Sequence, residues 1–239
     1  MTTPTSESKP ARFDSFAGLY DRYAAIMADW YRPWIASHLP AKGARGLDAG
    51  CGAGRFTSLL AERCIEVLGV DIAPNMLSIA RTIRAMPNVR YEHRSLLDVD
   101  PEKDGLFDIV MSVNTLNHLT DRVAALRHLH SLIAPGGSAL IIDIVTSPSS
   151  EWGGPRRQAV TDAARELIHR RSLGDARMVY RLRTHPDWIK HVSTVRMLTR
   201  EEFRTVYGEI FPGAQFSDDG LYHRAYAMLW RRSKIDSPR

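Results

Sequence analysis

The run Gly46-Leu47-Asp48-Ala49-Gly50-Cys51-Gly52-Ala53-Gly54-Arg55-Phe56 carries the strongest chemical signal in the chain. A strand pattern, Ala44–Ala49, precedes its glycines and a helical pattern, Arg55–Arg63, follows them, so they fall at a strand-to-helix turn. Glycine lets the backbone come close to a ligand, and the helix beyond offers it unpaired N–H groups. The next strand pattern, Ile65–Asp71, ends on an acid 21 residues after Gly50, placed to accept bonds from ribose hydroxyls. A second acid, Asp48, lies within the turn, where its charge is unfavourable beside a pyrophosphate and tolerable beside a cationic ligand. A dinucleotide fingerprint also needs glycine at position 55, where this chain has arginine. Both departures argue against NAD and for a ligand without phosphates. Cys51 reads as a small buried filler of the turn.

The elements that must position this turn alternate regularly. Helical spacing of Phe16, Leu19, Tyr20, Tyr23, Ile26, Met27 and Trp30 predicts one or two helices before Pro40. Pro74 opens a helix to about Ala85. Val89–His93 and Phe107–Val113 read as strands, and Asp121–Ile133 as a helix stopped by Pro135-Gly136-Gly137. Ser138–Val145 is a continuous apolar strand of the kind buried on both faces. Strands separated by helices of this length imply parallel pairing with right-handed crossovers, hence an open doubly wound α/β sheet. Beyond Val145 the rhythm breaks: a loop from Pro148 to Gly154, a helix over Arg156–Arg171, mixed signals over 172–197, and a capping box at Thr199-Arg200-Glu201-Glu202 that opens a helix ending near Gly208. Tyr222–Arg232 reads as a terminal strand, paired with one around Gln215–Ser217.

Composition sets outer bounds. The 239 residues are 44% hydrophobic and 25% charged, enough for a full core without staples. Two cysteines, Cys51 and Cys64, exclude a disulfide framework or a structural zinc cluster, and no metal is expected. No run is long and apolar enough for a membrane span, and the N-terminus lacks an apolar leader core, so a soluble cytoplasmic protein without a membrane partner is expected. Residues 1–12 are expected to be a disordered tail before a single domain over 13–239. The net charge of +5 is concentrated: residues 154–197 alone carry +6. This reads as a solvated helix face; nucleic acid is not the expected partner, because stacking aromatics are not interleaved with the arginines in a compact patch.

Four motifs in order resemble those of the class I S-adenosylmethionine (SAM)-dependent methyltransferases, particularly the small-molecule branch. Leu47–Gly54 resembles the first, and Val70-Asp71-Ile72-Ala73-Pro74-Asn75-Met76-Leu77 the second. Phe107-Asp108-Ile109-Val110 with Asn114 and Asn117-His118-Leu119 resembles the fourth strand and its loop, and Leu132–Gly137 the turn before strand five. The resemblance implies a mostly parallel seven-stranded sheet with helices on both faces, an N-terminal helical lid over 13–40 and a substrate-cover insertion over 146–197. It further implies that Asp48, Gly50, Cys51 and Gly52 lie along the methionyl part of SAM, with Asp71 on the ribose and Ile72 on the adenine. Met76, Ser95, Leu96 and Asn114 complete the expected cofactor contacts, with Asp98 as the substitute for Ser95.

Methyl transfer from a sulfonium is a direct displacement that depends mainly on positioning; a base is needed only where the acceptor must lose a proton. His118, after strand four, is the base candidate. Tyr20 resembles the family's lid tyrosine, and His185, His191 and His223 fall in or near the cover. Trp30, Tyr31 and Trp34 fit a lid over an aromatic or apolar substrate, or ordinary helix packing. The chain lacks the motifs of adenine or glutamine amino-methylating, cytosine carbon-5, protein arginine and metal-assisted catechol enzymes. The expected function is transfer of a methyl group from SAM to an oxygen or nitrogen of a small organic acceptor, by a monomer or homodimer. The alternatives are an RNA or tRNA methyltransferase gripping through 154–197, a SAM-binding protein without methyl transfer, and an NAD-dependent reductase.

Overall fold

The computed structural model describes residues 16–146, 154–221 and 224–234. Its centre is one seven-stranded sheet: β1 (Gly43–Ala49), β2 (Cys64–Asp71), β3 (Val89–His93), β4 (Phe107–Val113), β5 (Ile133–Ile144), β6 (Gln215–Ser217) and β7 (Ala225–Arg231). The strand order is β3-β2-β1-β4-β5-β7-β6. The first five strands pair in parallel, and β7 runs antiparallel to both β5 and β6. The order reverses between β1 and β4, which opens a crevice at their C-terminal ends, where ligands bind in doubly wound sheets.

Period-two alternation divides the core between the faces. Ile109, Met111, Leu140 and Ile142 pack toward α1 (Ala17–His38), α2 (Thr57–Ala61) and α6 (Leu173–Arg183). Their neighbours Val110, Ala139 and Ile141 pack toward α4 (Arg122–Ser131) and α8 (Arg200–Ile210). Central strands apolar on both sides are what a sheet covered on both faces requires. The remaining helices are α3 (Pro74–Ile83), α5 (Gly154–Arg170) and α7 (Pro186–Val192).

The predicted strands β3 and β4 match residue for residue, and the capping box is present at Thr199 with both of its hydrogen bonds. The N-terminal segment is helical as expected, one 22-residue helix with Pro33 inside it. Two expectations are corrected and one is resolved. The predicted helix over Arg55–Arg63 shrinks to Thr57–Ala61, because the turn continues through Gly54, at φ +75°, to Phe56. Strand β5 starts at Ile133 and runs through Pro135-Gly136-Gly137, so these residues do not end the preceding helix, which stops at Ser131. The register of β4 on β5 shifts between Phe107 and Ile109, where a proline without an N–H is tolerated. Finally, the mixed segment 172–197 holds two helices, α6 and α7. The expected tail over 1–12 lies outside the described residues.

Asp143, mid-strand in β5, is buried and accepts a hydrogen bond from the Tyr207 hydroxyl of α8 at 2.7 Å. Burial pushes its carboxyl up to about 6, against the pull of that hydroxyl. Tyr207→Phe removes a donor to a buried carboxylate and is expected to cost about 1–3 kcal/mol of stability. The hydroxyl favours the ionised form, so the loss should be larger at pH 8 than at pH 5. Urea denaturation at both pH values checks the magnitude and the sign.

Candidate active site

Strand β1 delivers its last acid and the glycine turn to the crevice. Gly50, Gly52 and Gly54 all have positive φ (79°, 52° and 75°), a conformation that side chains resist. A Cβ on Gly50 would collide with Thr115 of the β4 loop, which explains the glycine sterically as well. The Gly50 and Cys51 amides both donate to the Val70 carbonyl, at 2.9 and 3.0 Å, and tie the turn to the end of β2.

Asp71 completes that tie. One carboxylate oxygen accepts from the Gly52 amide and the other from the Ala73 amide, each at 2.8 Å. Burial raises the Asp71 carboxyl while these amides oppose the rise. Each oxygen keeps a further lone pair for a ligand hydroxyl. Asp48 is deeper, 3% exposed, and accepts from the Thr57 hydroxyl at 2.6 Å. Its carboxyl rises to about 7, chiefly through burial, with Asp71 adding to the rise and Thr57 opposing it. Two acids therefore stand close together at a turn rich in backbone N–H groups.

Helix α1 is strapped over this turn. Asp21 pairs with Arg55 at 2.8 Å and with Arg84 at 3.1 Å, while Arg84 also donates to the Ala53 carbonyl at 2.7 Å. Arg55, read in the sequence only as the residue that spoils a dinucleotide fingerprint, thus fastens α1 to the turn. Ala17 packs with Ala53, Ala73 and Met76, and Tyr20 lies against this group. Tyr31 and Trp34, by contrast, are buried in the sheet-facing core, and Trp30 is exposed.

The other expected cofactor residues stand around the crevice as follows. Ile72 is exposed directly beyond Asp71, an apolar surface at the sheet edge. Leu96 is buried, and the Ser95 hydroxyl accepts from the Leu97 amide at 3.2 Å, capping a short 3-10 turn; Asp98 is exposed. Cys51 is buried with its thiol pushed well up by that burial, as fits a filler and not a nucleophile. Asn114 adopts φ +56°, and the side-chain oxygens of Asn114 and Asn117 are buried without a hydrogen-bond partner among the described residues. Buried acceptors of this kind, beside a glycine turn and two carboxylates, fit a ligand that brings amino, hydroxyl and positively charged groups.

On the far side of the crevice is an aromatic enclosure that the sequence reading only partly foresaw. Trp188 of α7 lies 5.8 Å from Tyr20, 5.7 Å from Phe16 and 6.3 Å from Tyr23, ring centre to ring centre. His185 and His191 approach Phe16 at 6.0 and 6.2 Å. The His118 ring sits 4.7 Å from that of His191, joining the β4 loop to α7. Arg183 stacks 5.5 Å over Trp188, donates to the Tyr23 hydroxyl at 3.0 Å and lies 3.1 Å from the buried Asp162. Tyr20 is held well above the ordinary phenol range, mainly by burial, so its hydroxyl stays protonated. His223 lies outside the described residues. The described residues contain no group of three or more His, Cys, Asp or Glu arranged to hold a metal ion.

Residues 47–141 match the methyltransferase domain family. The match runs from β1 into β5, the parallel part of the sheet that carries the glycine turn, Asp71 and the β4 loop. Curated relatives of this chain include the ubiquinone biosynthesis O-methyltransferases of Xanthomonas campestris pv. campestris, 31% identical over 148 residues, and of Xanthomonas oryzae pv. oryzae, 27% identical over 163. The first match covers 54% of this chain and 62% of the relative, so the chain spans less than two thirds of that protein's length; the second covers 61% and 68%. Among solved structures, the DhpI–SAH complex superposes with a TM-score of 0.64 at 19% identity, covering 98% of this chain and 97% of that one. Human N-acetylserotonin methyltransferase in complex with SAM gives 0.60 at 14%, covering 97% and 60%.

Because the folded-state carboxyl of Asp48 titrates near 7, above an unfolded value near 3.9, the folded protein binds the extra proton between these values. Asp48 therefore withdraws stability as pH rises from about 4 to 7. Asp48→Asn keeps an acceptor for Thr57 and removes the buried charge. Thermal denaturation is expected to show a flatter pH dependence for Asp48→Asn and a midpoint at pH 8 at least about 2 °C above the parent's. Parallel pH profiles would count against this reading of Asp48.

Proposed function

We propose that this protein transfers a methyl group from SAM to an oxygen of a small aromatic acceptor. The observation that carries the reading is the pairing, across one crevice, of a glycine turn bearing two carboxylates with an aromatic enclosure that ends at His118. SAM supplies, when bound, a methyl group on a positively charged sulfur with its own leaving group. Asp71 would hold the ribose hydroxyls through its spare lone pairs, and the Asp48 side of the turn would face the methionyl portion and its positive charge. Ile72, Met76 and Leu96 supply apolar surface, Ser95 a hydroxyl for the adenine edge, and Asn114 an acceptor oxygen for an amino group.

The chain's own contribution to the reaction is placement and exclusion of water. Phe16, Tyr20 and Trp188 form walls suited to a flat, apolar acceptor. His118 is the group for taking the proton from an acceptor hydroxyl, which turns a weak oxygen nucleophile into a strong one. Tyr20, kept protonated by burial, is a hydrogen-bond donor and a wall, not a base. Oxygen is preferred to nitrogen as the acceptor because a neutral amine needs no base and because the Xanthomonas relatives are named O-methyltransferases.

His118→Ala is expected to lower kcat/KM for a phenolic acceptor by about 100-fold or more, while SAM affinity stays within about twofold. Tyr20→Phe should cost much less, and Asp71→Ala should abolish SAM binding. Turnover of His118→Ala within about twofold of the parent would remove His118 from the chemistry; calorimetry and labelled-methyl transfer give both readouts.

A further inference from the structure

Helices α5 and α6 form a hairpin, and its two faces have opposite characters. The inward face of α5 carries Ala159, Asp162 and Glu166, all buried, and that of α6 carries Met178, Val179 and Leu182. The acids of this hairpin are thus turned inside, where Arg183 meets Asp162; the third, Asp175, pairs with Arg170 at 3.0 Å. What remains outside is positive charge and apolar surface. Arg171, Arg177 and Arg181 are exposed and make no ion pair with a described acid. Between them, Ile168 and Leu173 flank the hairpin turn at 73% and 75% exposure, and Tyr180 is exposed about two turns further along α6. Trp30 of α1, also exposed, reaches the same tip: its ring lies 6.5 Å from that of His169, and Asp29 beside it pairs with Arg170.

A helix facing only water gains nothing by placing its largest apolar side chains at the most exposed points of a turn. A second copy of the chain is a poor occupant, because a two-fold contact centred here would bring Arg171, Arg177 and Arg181 against their own copies. A polyanion such as RNA would match the charge but has no apolar layer to receive Ile168 and Leu173. An anionic lipid surface offers both, with phosphates at the level of the arginines and hydrocarbon just below. We propose that the tip of the α5–α6 hairpin, with Trp30 beside it, docks this protein peripherally on an anionic lipid surface. Among the described residues no helix is long and apolar enough to cross a membrane, so the association is one of surface contact. Docking does not depend on the methyl-transfer reading. If both hold, α6 leads directly into α7 and Trp188, so an acceptor dissolved in the bilayer would meet the enclosure from the side of the lipid.

The test is co-sedimentation of the purified full chain with vesicles of phosphatidylcholine alone and with vesicles that also contain phosphatidylglycerol. The expected result is binding at least about tenfold tighter to the anionic vesicles, weakening as salt is raised. Ile168→Asp with Leu173→Asp, both exposed and so compatible with folding, should lose that binding at least about tenfold with an unchanged melting temperature. Arg171→Glu with Arg177→Glu, a second pair on the same tip, should do the same if the first pair misfolds. Equal binding to both vesicle types, no binding to either, or binding untouched by these variants would overturn the proposal. So would a concentration-dependent dimer without lipid that the variants abolish, or retention by RNA in place of vesicles, since either assigns the patch to a different partner.

Discussion

The carboxylate of Asp71 holds the candidate site together. Three glycine-dependent bends bring the backbone of the β1 turn close to the end of β2, and left alone they would leave amides unpaired in a half-buried crevice. Asp71 accepts from the Gly52 amide of that turn and from the Ala73 amide just beyond β2, and so fixes the turn and the start of α3 together. Its position at the C-terminal end of a central strand follows from the sheet order. The same order places the β4 loop, with Asn114 and His118, on the opposite lip. Without that carboxylate the turn would lose its side-chain tie to the end of β2.

Around this centre the protein accepts electrostatic costs that a purely structural protein has little reason to accept. Asp48 is held with a carboxyl near 7, close to a second acid. Asn114 sits in a backbone region that suits glycine, and two amide oxygens lie buried without partners among the described residues. Such features concentrate at sites that a ligand completes. The ionic strap from Asp21 to Arg55 and Arg84 gives a structural reason for the unusual arginine in the turn: it closes α1 over the crevice and carries Tyr20 with it.

The glycine turn, Asp48, Asp71 and the strands β3 and β4 were legible in the sequence, because local backbone demands and period-two burial write themselves into consecutive residues. The alternation of strands and helices led directly to the doubly wound sheet. The strap was not legible, since Asp21, Arg55 and Arg84 are brought together only by the packing of α1. The aromatic enclosure was half legible: Tyr20 and His118 stood in recognisable segments, whereas Phe16, Trp188 and the His118–His191 contact depend on how α7 lies against α1. Helices α6 and α7 gave mixed signals because their inward surfaces hold a half-buried Arg183 and a buried His191 as well as leucine and valine, which blurs the apolar period. Likewise, the net charge of 154–197 does not reveal that Asp162 and Glu166 of α5 are turned inward, because only burial separates them from the exposed arginines.

Calorimetric titration of the purified protein with SAM, with its demethylated product SAH and with NADH tests the central claim most directly. Saturable one-to-one binding of SAM and of SAH, and no binding of NADH, is the expected result. Binding of NADH without SAM, or of none of the three, would contradict it, because the turn organised by Asp71 would then serve a different ligand or none.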